Sequence, residues 1–205
     1  FTATTMAGIP VPVAILASII ICTVLGVVIE GIAYRPLRGT SSLAVLITAI
    51  GVSYFLQNAV QIIYGANAKS FKSVVPLKAV KLAGGELVIS GETIVTIISC
   101  VVIMVALNTF VNKTKTGHAM LAVAEDRQAA ELMGINVNKT ISLTFAIGSG
   151  LAAVAGMLLC SAYPNLTPTT GAMPGIKAFT AAVFGGIGSI PGALIGGILL
   201  GIIEI

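Results

Sequence analysis

GHAMLAVAEDRQAAELMGINVNK, residues 117–139, is the one cluster of mixed charge in a chain whose other long segments are mostly apolar, and Glu125, Asp126, Arg127 and Glu131 fall together in it. A polar piece set between apolar runs is a piece that touches something soluble. Its chemistry predicts a short helix with firm ends. Asp126 is placed to accept a hydrogen bond from a first-turn amide, and Glu125 with Asp126 sits where the helix dipole favours negative charge. Gly134 can adopt the left-handed conformation that ends a helix, with Ile135 folding back on Ala130. The rod covers about 127–133 and is roughly 10 Å long. An isolated helix that short is marginal in water, so packing or a partner must hold it. One amphipathic helix over 117–133 does not fit. At about 100° per residue, Glu125 falls in the middle of the face shared by Leu121, Ala122, Ala129, Leu132 and Met133. A break near Glu125 is expected, with 117–124 leaving the membrane. The plainer alternative is a solvated connection between two membrane helices.

Composition sets the class. Hydrophobic residues make up 57% of the 205 and charged residues 9%, with mean hydropathy +1.07, whereas a soluble domain carries about 25% charged residues. The chain reads as an integral membrane protein. It begins at Phe1 without an initiator Met and stops at Ile205 after an apolar run, as expected of a piece of a longer protein. A net charge of +4, scattered, with no basic run interleaved with aromatics, does not suggest nucleic acid. Cys22, Cys100 and Cys160 lie singly in apolar runs and read as packed, reduced thiols. His118 is the only histidine, beside Gly117 at a membrane exit, so neither a multi-histidine metal site nor a Ser-His-Asp triad is indicated. No catalytic residue and no metal site is assigned. The phosphate-cradling pattern G-x-x-x-x-G-K-[ST] is absent, which argues against a nucleotide hydrolase of that kind.

Five apolar segments can span or enter a bilayer whose core needs about 20 helical residues: about 9–33, 43–64, 93–111, 141–163 and 176–203. Pro10 and Pro12 suit the start of the first, and Pro36 forbids a helix straight through the basic linker 34–42. The linker 65–92 is longer. Val74, Val75, Leu87, Val88 and Ile89 around Gly84-Gly85 predict a small hairpin at the membrane surface. Placing 34–42 and 112–140 on one side gives that side Arg35, Arg38, Lys113, Lys115, Arg127 and Lys139. The other side holds Lys69, Lys72, Lys78, Lys81 and Lys177, so positive charge alone barely chooses. All three arginines lie on the first side, which is taken as cytoplasmic; 65–92 is then extracytoplasmic.

Two spans carry information beyond their length. In the second, Ser53, Gln57 and Gln61 form one stripe, with Asn58 beside it. Such groups either bond a neighbouring helix or line a watered path, and both readings stay open. In the fifth, AFTAAVFGGIGSIPGALIGGILLGIIE holds Gly185, Gly186, Gly188, Gly192, Gly196, Gly197 and Gly201 with Pro191 among them. Gly188, Gly192 and Gly196 recur every four residues, a face that another helix can approach closely. GGIGSIPG also breaks the helical ladder, which membranes tolerate only inside protein or against a watered cavity. Pure close packing is the competing reading. The fold class is an all-α integral membrane protein: a polytopic transmembrane helix bundle, a single permease-like domain over 1–205, with a short capped helix outside the membrane and a Gly/Pro-broken span.

EGIAYRPLRG at 30–39, LITAIGVSYFLQN at 46–58, AVAEDRQAAELMGINVNK at 122–139 and MPGIKAFTAAVFGGIGSIPGALIGGILLGIIE at 173–204 together resemble the permease subunit of bacterial high-affinity branched-chain amino acid ABC importers. The chain is similar to the H-type subunit rather than to its partner permease. The resemblance implies a multi-pass protein of the bacterial cytoplasmic membrane with no enzymatic activity or cofactor of its own. It pairs with a second, related permease and is driven by two cytoplasmic ATPase subunits that hold ATP and magnesium. An extracytoplasmic binding protein delivers leucine, isoleucine or valine. The resemblance also implies at least one span before Phe1 and more apolar chain after Ile205. In such importers a short cytoplasmic coupling helix followed by glycine docks in a cleft of the ATPase, and here that motif falls on Glu125, Asp126, Ala129, Ala130 and Gly134. A substrate path is expected along Ser53, Gln57, Gln61, Gly185, Gly186, Gly188 and Pro191. Three rivals remain: a urea or short-chain amide importer permease, an ion-coupled secondary transporter working alone, and a purely structural membrane subunit. The second of these needs an intramembrane acid or base, and apart from Glu30 and Glu204 at span ends no acid lies within the apolar segments.

Overall fold

Without water, each backbone amide of an apolar segment must find its partner inside that segment, and a helix supplies it. The computed structural model, which describes residues 11–70, 80–82 and 87–204, is helical along most of that length. Helix α1, Val11–Ile29, runs on through a π turn at Glu30–Tyr34 and a 3-10 turn at Arg35–Leu37. Then come α2, Ser42–Tyr64, and the strands β1, Lys69–Ser70, β2, Val80–Leu82, and β3, Leu87–Ile89. Helices α3, Gly91–Lys113, α4, Lys115–Glu125, α5, Arg127–Leu132, and α6, Val137–Ala162, follow. Strand β4, Asn165–Leu166, and helices α7, Ala172–Phe184, and α8, Ile190–Ile203, complete the order.

Among the described residues four helical stretches are long and apolar enough to cross a membrane: Val13–Leu37, Leu43–Tyr64, Gly91–Lys113 and Val137–Ala162. The first runs past its expected end. It does so through the π and 3-10 turns and ends at Leu37, one residue after Pro36, so no helix runs through the linker 34–42. The fifth apolar segment is broken, into helices of 13 and 14 residues. Each is about 20 Å long at 1.5 Å per residue, short of the roughly 30 Å of a bilayer core. Residues 117–124, read from sequence as chain leaving the membrane, lie in a helix of their own, Lys115–Glu125. The hairpin expected in 65–92 is present as β2 against β3, with Val80 opposite Ile89 and Leu82 opposite Leu87; Val74, Val75, Gly84 and Gly85 lie outside the described residues.

The chain divides into two compact units, residues 1–76 with 122–168, and residues 77–121 with 169–205. In the first, α1 lies along α6 on a seam of small residues. A methyl on Gly26 would sit 1.7 Å from Ser149 Oγ, and one on Gly150 would sit 3.2 Å from Thr23 Oγ1. The seam hydroxyls are satisfied within their own helices, Thr23 on the Ile19 carbonyl at 2.8 Å and Ser149 on the Phe145 carbonyl at 2.7 Å. At one end of the seam Tyr34 packs its ring 5.1 Å from that of Phe145. At the other end β1 pairs antiparallel with β4, Lys69 opposite Leu166, a contact between residues too few to show any strand pattern in sequence.

The second unit is organised by the α7–α8 hairpin. Methyl groups on Gly185 and Gly192 would each fall about 2 Å from the other's carbonyl oxygen, and one on Gly196 would lie 2.3 Å from that of Ala181. Gly186 and Gly188 have φ of 90° and 99° and make the turn. Gly188 therefore does not belong to the packing face suggested by its spacing; Gly185 takes that place. Ser189 caps α8 by accepting from the Gly192 amide, and Lys177 pairs with Glu204 near the open end of the hairpin. Helix α3 packs against α8.

Close backbone approach rather than side-chain volume holds this hairpin, which sets up a direct test. Gly192→Ala is expected to lower the stability of the purified protein in detergent by about 1–3 kcal/mol through overpacking. Gly201→Ala, whose added methyl meets nothing within 4 Å, should leave the denaturation midpoint unchanged or slightly raised. Equal midpoints for the two variants would remove the close-approach account.

Candidate functional site

The rod α5 is built from local chemistry at both ends. Asp126 sits between α4 and α5 in an extended conformation, and its Oδ1 accepts from the amides of Gln128 at 2.8 Å and Ala129 at 3.1 Å. This satisfies two of the amides a helix start leaves free. At the other end Gly134 has φ 82°, the Ile135 amide reaches back to the Ala130 carbonyl and the Gly134 amide to that of Glu131, both at 3.0 Å. That double closure is the Schellman arrangement. Asn136 follows at once as the cap of α6, its Oδ1 accepting from the Lys139 amide at 3.1 Å.

The five residues assigned to the rod from sequence divide by position. Asp126 and Gly134 shape its ends. Ala130 is 3% exposed and faces inward, where α5 meets α6. Glu125, the last residue of α4, and Ala129 are exposed. The most prominent outward groups are two that the sequence reading did not assign: Leu132, 89% exposed, and Met133, 83% exposed. Their presence at the end of a helix too short to bury a face was the available signal.

Behind the rod lies a polar cluster that sequence reasoning also missed. Glu30 opens the π turn and is 2% exposed. Its Oε2 accepts from Ser142 Oγ of α6 at 2.7 Å, and its Oε1 is paired with Arg38. Arg38 also donates to Asn138 Oδ1, while its own carbonyl accepts from Arg127 Nη1 of α5 at 3.1 Å. A buried charge persists only where it is paired and hydrogen-bonded. These contacts bring the linker 34–42 and the stretch 126–139 to the same end of the first unit, as the topology reading had placed them.

The polar stripe of α2 does not reach a neighbouring helix among the described residues. Gln57 donates to Ser53 Oγ at 3.2 Å and Asn58 to the Tyr54 carbonyl at 2.7 Å, both within the helix; Ser53 and Gln61 are exposed and Gln57 half-buried. In the second unit Gly185 is a packing contact, Gly186 and Gly188 turn the chain with open space where a side chain would be, and Pro191 lies in the first turn of α8. His118 is exposed and the three cysteines are free. No group of side chains fit to hold a metal occurs among the described residues.

The family described as branched-chain amino acid transport system / permease component matches residues 1–205. The high-affinity branched-chain amino acid transport system permease protein BraD of Pseudomonas aeruginosa is 46% identical over 190 residues, 92% of this chain and 62% of that protein. The permease protein LivH of the corresponding system of Escherichia coli is 45% identical over 189 residues, 91% of this chain and 61% of its own length. A probable LivH of Methanocaldococcus jannaschii is 31% identical over 84% of this chain and 56% of its own. The chain thus spans less than two thirds of the relatives it matches. No solved structure matches it.

The cap geometry makes a local prediction. Asp126→Ala should cost α5 about 1 kcal/mol, so the Gln128 and Ala129 amides should exchange with solvent about fivefold faster. Glu125→Ala, which removes no cap bond, should leave both unchanged. If the two substitutions acted alike, Asp126 would not be the cap.

Proposed function

The chain belongs to the family of branched-chain amino acid transport system permease components, and on that premise we propose that it is the membrane-spanning subunit of an ATP-driven importer carrying leucine, isoleucine or valine across a bacterial cytoplasmic membrane. ATP hydrolysis belongs to two partner subunits, a second permease completes the pathway, and an extracytoplasmic binding protein delivers the substrate. The single observation that carries the reading on this chain is α5. It is a rod closed at both ends, seated inward through Ala130 and presenting Leu132 and Met133 outward. Exposed apolar side chains of that size on a hydrophilic segment call for a partner groove to cover them. A rod with satisfied ends transmits a push without unwinding. When ATP binding closes the partner subunits, α5 moves with their cleft, the adjoining spans rock, and access to the site between the permeases changes.

The broken α7–α8 segment supplies what a zwitterionic amino acid needs. The carboxyl end of α7 turns the negative end of its dipole to the ammonium, the amino end of α8 turns the positive end of its dipole to the carboxylate, and the surrounding aliphatic wall suits a branched side chain. Gly186 and Gly188, whose backbone is unobstructed, are the groups of this segment assigned to the path, and Gly185 and Pro191 hold its shape; the Ser53, Gln57 and Gln61 stripe is proposed separately as a path lining of α2. The ion-coupled reading needs a free intramembrane acid, and Glu30 is engaged by Arg38 and Ser142.

Reconstitution with the ATPase pair and binding protein tests the assignment: uptake of labelled leucine should be competed by isoleucine and valine and left untouched by urea or acetamide. Competition by urea would move the chain to an amide importer. At the dock, Leu132→Asp with Met133→Asp should reduce co-purification of the ATPase by about tenfold or more, the scale of losing a buried apolar anchor. Asp126→Lys and Gly134→Pro should leave membrane insertion intact while hydrolysis continues without uptake. Normal uptake in all of these would remove the docking role.

A further inference from the structure

We propose that Glu30 and Arg38 form a positioning tie that transmits displacement of α5 to α1 and α6, the two spans joined along the first unit's seam; the proposal rests on the reading of α5 as the ATPase dock. The path is continuous in the structure. Arg127, in the first turn of α5, donates to the Arg38 carbonyl. The Arg38 guanidinium then forks, one nitrogen to Glu30 at the end of α1 and another to Asn138 in the first turn of α6. Glu30 closes the circuit by accepting from Ser142, one turn further along α6. The linker after α1 and helix α6, distant in sequence, meet at one buried carboxylate, and α5 is joined to it through Arg38.

Stability alone gives weak grounds for such a site. Replacing a buried ion pair by apolar side chains of similar volume is often neutral or stabilising, and the α1–α6 seam already has the Gly26–Ser149 contact to hold it. A directional pair does what apolar packing cannot, since it fails if its partners shift by a fraction of a hydrogen-bond length and so fixes one element relative to another. Two further features suit a part that moves. Glu30 starts a π turn, closed by the Arg35 amide on the Glu30 carbonyl, which widens the helix where the carboxylate leaves it. Arg38 Nε is buried without an acceptor, so this arrangement leaves one donor unmatched, and a second arrangement supplying an acceptor has something to gain.

The test uses the assembled importer in lipid vesicles, with its ATPase subunits and binding protein, and reads ATP hydrolysed per amino acid imported. Glu30→Gln keeps size and hydrogen bonding but removes the charge, and Arg38→Lys keeps the charge but removes the fork. Each is expected to raise that ratio about tenfold, within the usual range of coupling between sites, with the yield of assembled complex unchanged. A purely structural role lowers yield, hydrolysis and uptake together and leaves the ratio at its starting value; that result overturns the tie, as does a normal ratio in both variants. The double Leu132→Asp, Met133→Asp variant separates the two readings. If it loses the ATPase while Glu30→Gln couples normally, the dock stands and the tie is wrong. If it retains the ATPase and couples normally, the dock is wrong and the tie falls with it.

Discussion

In a bilayer an apolar side chain gains little by leaving lipid for protein, so helices are held by how closely their backbones approach and by how their polar groups are closed. Both units follow from this. The α1–α6 seam turns on Gly26 beneath Ser149, and the α7–α8 hairpin on Gly185 and Gly192, each excluding a methyl from the other. The buried apolar residues are accordingly small, Ala14, Ala153 and Ala181 among them, while large aliphatics such as Ile20 and Ile198 face outward. The same constraint admits the break after Phe184. Part of the turn closes on itself, the Gly186 amide on the Val183 carbonyl and the Ser189 amide on that of Gly186.

What could be read from sequence was what depends on neighbours. Length and hydropathy marked five apolar segments, of which four are helices long enough to cross a membrane among the described residues and the fifth is two short ones, because spanning is a property of one segment at a time. The ends of α5 were readable for the same reason: Asp126 finds its amides two and three residues on, and Gly134 needs only its own φ. Spacing misled where it assumed a helix that had not yet begun. Gly188 lies four residues before Gly192 but ahead of the first residue of α8, so the helical period does not carry back to it. The stripe on α2 shows a different limit. The interval that aligns Ser53 with Gln57 also lets them bond each other, so alignment alone could not say whether a neighbour was needed.

The cluster around Glu30 was invisible for a third reason. Ser142 lies 112 positions from Glu30, and Arg127 lies 89 from Arg38. Nothing in the local pattern pairs them, and Glu30 read alone is only an acid at the end of a span. The pairing follows from topology: once α1 and α6 lie along each other, the linker after α1 and the segment before α6 must share one end of the unit. The weak excess of positive charge at that end then acquires a specific cause, since Arg38 and Arg127 are there to meet a carboxylate and a carbonyl.

The two faces of α5 differ in the kind of force they use, and the difference bears on how the rod works. Inward, beside the packing of Ala130, the Arg127 hydrogen bond to the Arg38 carbonyl joins it to the Glu30–Arg38 ion pair, and such polar contacts depend steeply on direction and fix register. Outward, Leu132 and Met133 offer apolar contact, which depends on area and tolerates rotation, and methionine in particular adapts to an irregular groove. A dock made only of directional bonds would have to break them whenever the partner turned. A tie made only of apolar contact would slip under load. On the docking role proposed for α5, an adaptable contact on the side of the partner and a directional one on the side of the spans would let the rod follow a turning cleft while holding one register against α1 and α6.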